Sequence, residues 1–310
     1  MFKLFSGSAH KVLTKEVAKL LQIPLAKSEV VRFGNSEVKV TIQEKVKDTI
    51  CVVVQPTSNP TDTRIMELLF YCDALKREEA KDVIGIIPYF GYAKQNIQHR
   101  RGEDVSANVV IRLFETIGFH KIFVFDLHDE GTAGDFNIPF ENLTAFPLLA
   151  ESLKEELKGW GTTPGKIAIV SPDQGGVERA RNFGEKFFGT SKFNEVVIEK
   201  ERDQNIPHKA KLVVFYGDVK NKVAIIVDDM VVSGSTIIPA IDLCLKRGAI
   251  KVYAAIVHHD FITGAAQKIL QSPIEKFFTT NTIALQPNQT FPKLIEINVA
   301  PLIAQALKSI

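Results

Sequence analysis

A chain of 310 residues is longer than a single hydrophobic core usually serves, so two domains are expected. With 45% hydrophobic and 24% charged residues its composition is that of a globular protein, and a net charge of +2 argues against the strong basic field of a nucleic-acid or acidic-membrane binder. No apolar run approaches the roughly 20 residues that a membrane helix needs, and MFKLFSGSAHKV at the start has no long apolar stretch of a secretory signal. Cys51, Cys72 and Cys244 are odd in number and show no C-x-x-C spacing. Reduced thiols in a cytoplasmic protein are the expectation, not a disulfide framework or zinc site.

In chain order, a strand is predicted at 50–55, a helix at 62–80, a strand at 83–88, a helix at 106–118 and a strand at 121–126. A helix at 145–158, a strand at 166–170 and a helix at 176–188 follow. The series ends with a strand at 223–228, a helix at 236–247 and a strand at 251–257. Most of these strands are continuously apolar, as in a parallel sheet covered on both faces. The alternation predicts an α/β fold, doubly wound, with mostly parallel sheets flanked by helices. Ser235 or Thr236 can cap the 236–247 helix, Pro239 suits its first turn, and Gly248 after Lys246-Arg247 suits its end. Residues 51–75 and 224–249 echo one another as strand, small polar loop, helix. Two similar domains, 1–147 and 148–310, are expected, with GWGTTPGK at 159–166 a loop within the second.

The chemistry concentrates at 223–236, VAIIVDDMVVSGST. A strand that runs through a small-residue loop into a helix makes an anion site, because backbone N–H groups converge at the helix N-terminus. Ser233, Gly234, Ser235 and Thr236 can hold a phosphate there. Asp228 and Asp229 would repel it, so they are assigned to another part of the ligand, either vicinal hydroxyls or Mg²⁺. A pentose 5-phosphate has both ends. The plainer reading is a capped helix after a strand ending in surface acids. On residues alone His128 reads as a structural histidine, Asp173 as part of a Pro-Asp turn, and Lys200 and Arg202 as a charged strand edge.

The run VDDMVVSGST (227–236) resembles the phosphoribosyl-diphosphate loop of phosphoribosyltransferases and of ribose-phosphate diphosphokinases, the phosphoribosyl pyrophosphate synthetases. RFGNSE (32–37), IPYFGYAKQ (87–95), FDLH (125–128), SPDQGG (171–176), EKER (199–202) and YGDV (216–219) select the second family by order and spacing, over nearly the whole chain. The resemblance implies two phosphoribosyltransferase-type domains, the first on the ATP side and the second on the ribose 5-phosphate side. It implies transfer of the diphosphoryl group of MgATP to ribose 5-phosphate, giving phosphoribosyl diphosphate and AMP. His128 and Asp173 would place Mg²⁺, and Lys200 and Arg202 would stabilise the moving group from a lid. Phe33, Asn35 and Glu37 would read adenine from a neighbouring subunit, with Lys94 and Gln95 meeting ATP as well. That implies a homo-oligomer, in the family a hexamer built from dimers, with no nucleic-acid or membrane partner.

The match departs from the family's pattern at several positions. Val232 stands where an Asp is usual, Ser235 for a Gly, Lys94 for an Arg and Asn96 for an Asp, while His99 occupies a commonly acidic position. These changes leave a second expectation, a weakly active or inactive regulatory homologue that binds nucleotide and assembles with an active partner. A plain phosphoribosyltransferase would leave the two-domain repeat and the RFGNSE loop unexplained.

Overall fold

The computed structural model describes residues 2–201 and 212–310. The chain begins β1 (Phe2–Ser6), α1 (Lys11–Leu21), β2 (Ser28–Arg32), β3 (Val38–Ile42), β4 (Ile50–Val54) and α2 (Thr61–Arg77). Next come β5 (Asp82–Ile87), α3 (Ser106–Ile117), β6 (Lys121–Phe125), β7 (Phe140–Leu143) and α4 (Phe146–Glu156). Then follow β8 (Ile167–Ser171), α5 (Val177–Phe188), β9 (Asn194–Glu201), β10 (Leu212–Tyr216), β11 (Val223–Val231) and α6 (Ile237–Lys246). The last elements are β12 (Lys251–His259), α7 (Ala265–Gln271), β13 (Lys276–Thr280), β14 (Leu294–Ile297) and α8 (Ala300–Leu307).

Two compact units result. The first holds Met1–Thr144, Thr282–Ala284 and Asn298–Ile310; the second holds Ala145–Asn281 and Leu285–Ile297. The break thus falls at Thr144/Ala145, and the final segment belongs to the first unit instead of completing an unbroken 148–310. The reason is α8, whose Ala300, Ile303, Ala304 and Leu307 form a buried stripe at helical spacing. That helix packs on α1, which buries Leu13, Val17 and Ala18.

Among the described residues the first unit has a five-stranded sheet in the order β1-β4-β5-β6-β7, parallel throughout, and a separate antiparallel ribbon of β2 and β3. The second has a seven-stranded sheet, β10-β9-β8-β11-β12-β13-β14, parallel except where β10 meets β9. The α/β class and parallel sheets flanked by helices match the expectation. In β4, Cys51, Val52 and Val53 are fully buried, and β8 is buried along its length. This two-sided burial is why those segments read as unbroken apolar runs. Phe114 anchors the first core, edge-on to Phe90 at 6.0 Å and to Phe119 at 5.7 Å. The second core gathers Val170, Ile226, Ile241, Cys244, Ile256 and Phe277. The three cysteines are buried and unpaired, and burial pushes the thiol pKa up to about 11 at Cys51 and about 12 at Cys72 and Cys244.

The ends of α6 divide the expectations about it. Thr236 sits at the N-cap with helical dihedrals and makes no capping bond with its side chain. Gly248 does end the helix, at φ 93°. Its N–H bonds to Leu245 O at 3.0 Å and the Ala249 N–H reaches Cys244 O at 3.0 Å, the paired bonds of a Schellman turn. A Cβ at 248 would also lie 3.3 Å from Lys220 Cγ. Gly248→Ala is therefore expected to destabilise the second unit by about 1–2 kcal/mol, the cost of a left-handed L-residue. A thermal midpoint equal to that of the parent would contradict this account.

Candidate functional site

In the second unit β11 runs on to Val231, so Asp228 and Asp229 lie inside the strand and not at its end, as the sequence had suggested. The cause is β12, which also runs long and pairs Met230 with His258 and Val231 with His259. Both acids are therefore held on a rigid ladder. The Asp229 residue is 1% exposed, and the Asp228 side chain 15%.

Between them sits Arg179, which the sequence reading did not single out. Its NH1 lies 2.8 Å from Asp228 Oδ1 and 3.2 Å from Asp229 Oδ1. It comes from the first turn of α5, three positions after Gly176. A Cβ on Gly176 would lie 3.3 Å from Arg179 NH1 and 2.9 Å from Ser171 Oγ, so glycine there keeps the guanidinium's approach open. The only sequence signal was a basic residue following SPDQGG in the opening turn of a helix. One guanidinium does not neutralise two buried carboxylates. Burial, then the neighbouring Asp229 carboxylate, raise the Asp228 pKa well above the usual carboxylate range, with Asp173 adding to the effect; Arg179 pulls it down and does not prevail.

Asp173 organises the preceding turn. Its Oδ1 accepts from the Gly176 N–H at 3.0 Å, and Ser171 Oγ donates to the Asp173 carbonyl at 2.7 Å. Below this cluster, residues 232–236 lead into α6. Ser233 Oγ and Ser235 Oγ are 3.0 Å apart, and the Ser235 N–H bonds to Ser233 Oγ at 3.3 Å. Gly234 takes φ 80° and its carbonyl accepts from the Ile238 N–H at 3.0 Å. The Val232 carbonyl accepts from the Ile262 N–H at 3.1 Å, which ties the loop to the segment after β12. Ser235 is exposed, and Ser233 and Thr236 are half-buried. Hydroxyls and helix N–H groups thus gather at the α6 N-terminus, with the three acids and Arg179 on the adjoining elements. Lys200 lies on β9 opposite Val213 of β10, in the antiparallel ribbon at the sheet's edge. Arg202 lies outside the described residues.

The first unit repeats the strand–loop–helix plan with a different filling. Where β11 carries Asp228, the echoed segment after β4 carries Gln55, which is fully buried with Oε1 accepting from the Ala9 N–H at 3.0 Å. A Cβ at Gly7 would fall 2.1 Å from that oxygen, so the side chain occupies the crevice itself. Glu67, fully buried, accepts from Ser8 N–H at 2.7 Å and Ser8 Oγ at 2.6 Å and pairs with Arg64 at 3.4 Å.

Elsewhere in this unit, Phe33, Asn35 and Glu37 form the turn of the β2–β3 ribbon. The Phe33 N–H bonds to Glu37 O at 2.9 Å and Asn35 Oδ1 accepts from the Glu37 N–H at 3.2 Å. Phe33 is 46% exposed. Lys94 and Gln95 are exposed on the turn after β5, where Tyr92 takes φ 68°. Gln95 Oε1 accepts from Ser106 Oγ at 2.6 Å, and its carbonyl accepts from the Ala107 N–H at 3.1 Å. His128 is half-buried just beyond β6, on a loop held by the Leu127 N–H bond to Asn142 Oδ1 at 3.1 Å and by Thr144 Oγ1 donating to Asp126 Oδ1 at 2.7 Å. The Asn96 amide donates to Asp129 Oδ2 at 2.5 Å, joining the 94–96 segment to the loop after His128.

Among the described residues no three His, Cys, Asp or Glu side chains converge as a closed metal cage, and no helix is long and apolar enough to cross a membrane. Magnesium does not need such a cage. It keeps several waters and takes one or two carboxylates together with substrate phosphates. The donor chemistry of Asp173, Asp228 and Asp229, with their excess negative charge, fits it.

Known proteins carry the same pattern. Residues 2–118 match the N-terminal domain of ribose phosphate pyrophosphokinase, and 190–310 match the phosphoribosyl synthetase-associated domain. The ribose-phosphate pyrophosphokinase of Listeria ivanovii is 36% identical over 98% of this chain and 92% of its own. That of Helicobacter hepaticus is 36% identical over 100% and 96%. The crystal structure of phosphoribosylpyrophosphate synthetase from Mycobacterium smegmatis superposes with a TM-score of 0.88 at 32% identity, covering 99% of this chain and 98% of that one. The resemblance seen in the motifs therefore extends through the whole chain, which belongs to the ribose-phosphate pyrophosphokinase family.

Proposed function

We propose that this chain transfers the intact diphosphoryl group of MgATP to the anomeric hydroxyl of ribose 5-phosphate, giving 5-phosphoribosyl 1-diphosphate and AMP for nucleotide biosynthesis. The observation that carries this reading is the buried Asp228–Arg179–Asp229 cluster beside the 233–236 loop. It offers acceptors for vicinal hydroxyls and, on the adjoining turn, donors for a phosphate. Together these match the two ends of a pentose 5-phosphate.

In this reaction the sugar O1 attacks the β-phosphorus of ATP, and the bond from that phosphorus to the α–β bridging oxygen breaks to release AMP. Such a transfer asks little covalent help of the protein; positioning and charge stabilisation dominate. Asp228 and Asp229 accept from the ribose hydroxyls, and Arg179 fixes both carboxylates. Ser233, Gly234, Ser235 and Thr236 hold the 5-phosphate at the α6 N-terminus. Val232 offers no acceptor, so more of the ribose contact rests on the two acids. His128 and Asp173 are assigned to Mg²⁺, which supplies charge neutralisation on the phosphates. Lys200 and Arg202 stabilise negative charge developing on the transferred group. Lys94 and Gln95 meet the nucleotide. Phe33 offers a stacking face for adenine, and Asn35 and Glu37 offer its polar edges a partner from a neighbouring copy, so the working form is a homo-oligomer, a hexamer built from dimers, in the cytoplasm. A regulatory homologue without turnover would have no use for an acid pair held against its own burial cost.

The direct test is AMP formation from ATP, Mg²⁺ and ribose 5-phosphate, with each omitted in turn; AMP made without ribose 5-phosphate would contradict the reading. Lys200→Ala should lower kcat by about 100-fold, the scale of losing one transition-state donor. A change within about threefold, ~0.7 kcal/mol of barrier, would remove Lys200 from the mechanism. Val232→Asp should lower the KM for ribose 5-phosphate by restoring an acceptor; an unchanged or higher KM would show that this chain holds the sugar without one.

The strained acid also predicts a pH effect on stability. Because the Asp228 pKa is raised on folding, the native state binds that proton more tightly than the unfolded chain. Its contribution to stability is full below the unfolded value, about 3.9, and is lost as pH climbs through the raised folded value. Ligand-free Asp228→Asn should thus melt above the parent at neutral pH, with the gap closing toward pH 4, while its affinity for ribose 5-phosphate falls. A variant that melts below the parent at neutral pH would mean that Arg179 makes the ionised acid net stabilising.

A further inference from the structure

The contact between Asn96 and Asp129 has no part in the chemistry just described. The Asn96 amide nitrogen donates to Asp129 Oδ2 at 2.5 Å and to Thr132 Oγ1 at 3.3 Å. Asp129 Oδ1 accepts from the Gly131 N–H at 2.8 Å, so both carboxylate oxygens are engaged. The bond ties two segments distant in sequence. One carries Lys94 and Gln95, the other His128. Gln95 is anchored on its far side through Ser106 and Ala107. We propose that Asp129 is a positioning residue for the nucleotide: through Asn96 it holds the 94–96 segment in fixed relation to His128. The inference rests on the functional reading above.

Three features support it. Asp129 is exposed and Asn96 half-buried, so the bond adds little to folding, where exposed polar contacts contribute on the order of 1 kcal/mol or less. Its position between two groups assigned to the nucleotide gives it a use that stability does not. Second, the amide is matched to its partner. The family's usual residue at 96 is an Asp, and an aspartate here would face the Asp129 carboxylate at contact distance, like charge against like. A donor at 96 and an acceptor at 129 belong together. Third, Asp129 has φ −132° and ψ 120°, an extended backbone in which successive side chains leave on opposite sides. Both of its carboxylate oxygens are engaged within the protein, so it acts as a brace.

The test is a cycle of variants read by MgATP binding in calorimetry without ribose 5-phosphate, and by KM and kcat with it. Asn96→Ala and Asp129→Ala should each weaken MgATP binding about tenfold, or about 1.4 kcal/mol, with the thermal midpoint and the KM for ribose 5-phosphate unmoved. The double alanine variant should lose no more than either single one, because both remove the same bond. Asp129→Asn keeps an acceptor and guards against a fold defect in the alanine variants; it should lose less than Asp129→Ala. The exchanged pair, Asn96→Asp with Asp129→Asn, rebuilds the bond with reversed polarity and should return affinity to within about threefold of the parent. Single alanine variants within about twofold of the parent, losses that multiply in the double variant, or an exchanged pair no better than the single ones would each overturn the proposal. A parent that binds MgATP but makes no AMP would instead sink the functional reading while leaving the binding cycle intact.

Discussion

A guanidinium shared by two buried carboxylates is the constraint around which the second unit is arranged. Arg179 reaches Asp228 and Asp229 only because α5 starts where it does, and α5 starts there because Asp173 caps the turn before it. Gly176 keeps that route free of a Cβ. The acids stay in place because β11 is laddered to β12 beyond both of them. Pairing alone would suggest a stable salt bridge. Yet burial and the neighbouring Asp229 carboxylate raise the Asp228 pKa despite Arg179, so the ionised acid is held there against a cost. The surrounding parallel sheet, buried on both faces, supplies the rigidity that holds such an arrangement. In the reading proposed above, a ligand's hydroxyls or a dication would relieve it.

The two units show what happens to that arrangement when the ligand is replaced by the protein's own side chains. In the first, Gln55 stands where the acids would begin, its oxygen sits in the space above Gly7, and Glu67 occupies the N–H and hydroxyl of Ser8. A strand–loop–helix junction presents converging donors whatever the sequence. In the first unit the residue at the place of Asp228 is packed inside; in the second, two acids precede the loop. In the reading proposed above, the first unit would contribute from its turns and ribbon, through Phe33, Lys94, Gln95 and His128, and not from this crevice.

These differences fix how far the sequence could be read. Strands such as β4 and β8, buried on both faces, announce themselves as unbroken apolar runs. The β2–β3 ribbon, β7 and β14 do not, because half-exposed or short edge strands mix polar and apolar residues and resemble loops. Asp228, Asp229 and the 233–236 loop were legible because chemistry-bearing residues fall together in one stretch. Arg179 was not: ERAR on an amphipathic helix looks like any solvated turn, and only the fold shows that one of its cations lies inside. Ser235 and Thr236 misled in the opposite direction. They have the composition of a helix cap, yet Ser233 and Ser235 bond to one another and the cap is left to backbone.

The departures from the family's pattern look different once their surroundings are known. Read singly, Asn96 is the loss of an acid and weakens the case for nucleotide binding. In place, its amide is the partner of an acid on a neighbouring loop, and a carboxylate remains within 2.5 Å of it. The bond joins two segments distant in sequence, which one sequence position cannot reveal. Val232 is different, because its side chain can neither donate nor accept a hydrogen bond. It is half-buried, and its carbonyl is used by Ile262. The two substitutions therefore differ in kind. Asn96 sets its amide against a neighbouring carboxylate, whereas Val232 puts an apolar side chain in the loop after Asp228 and Asp229; in the reading proposed above, the sugar then rests more on those two acids, held on a rigid strand.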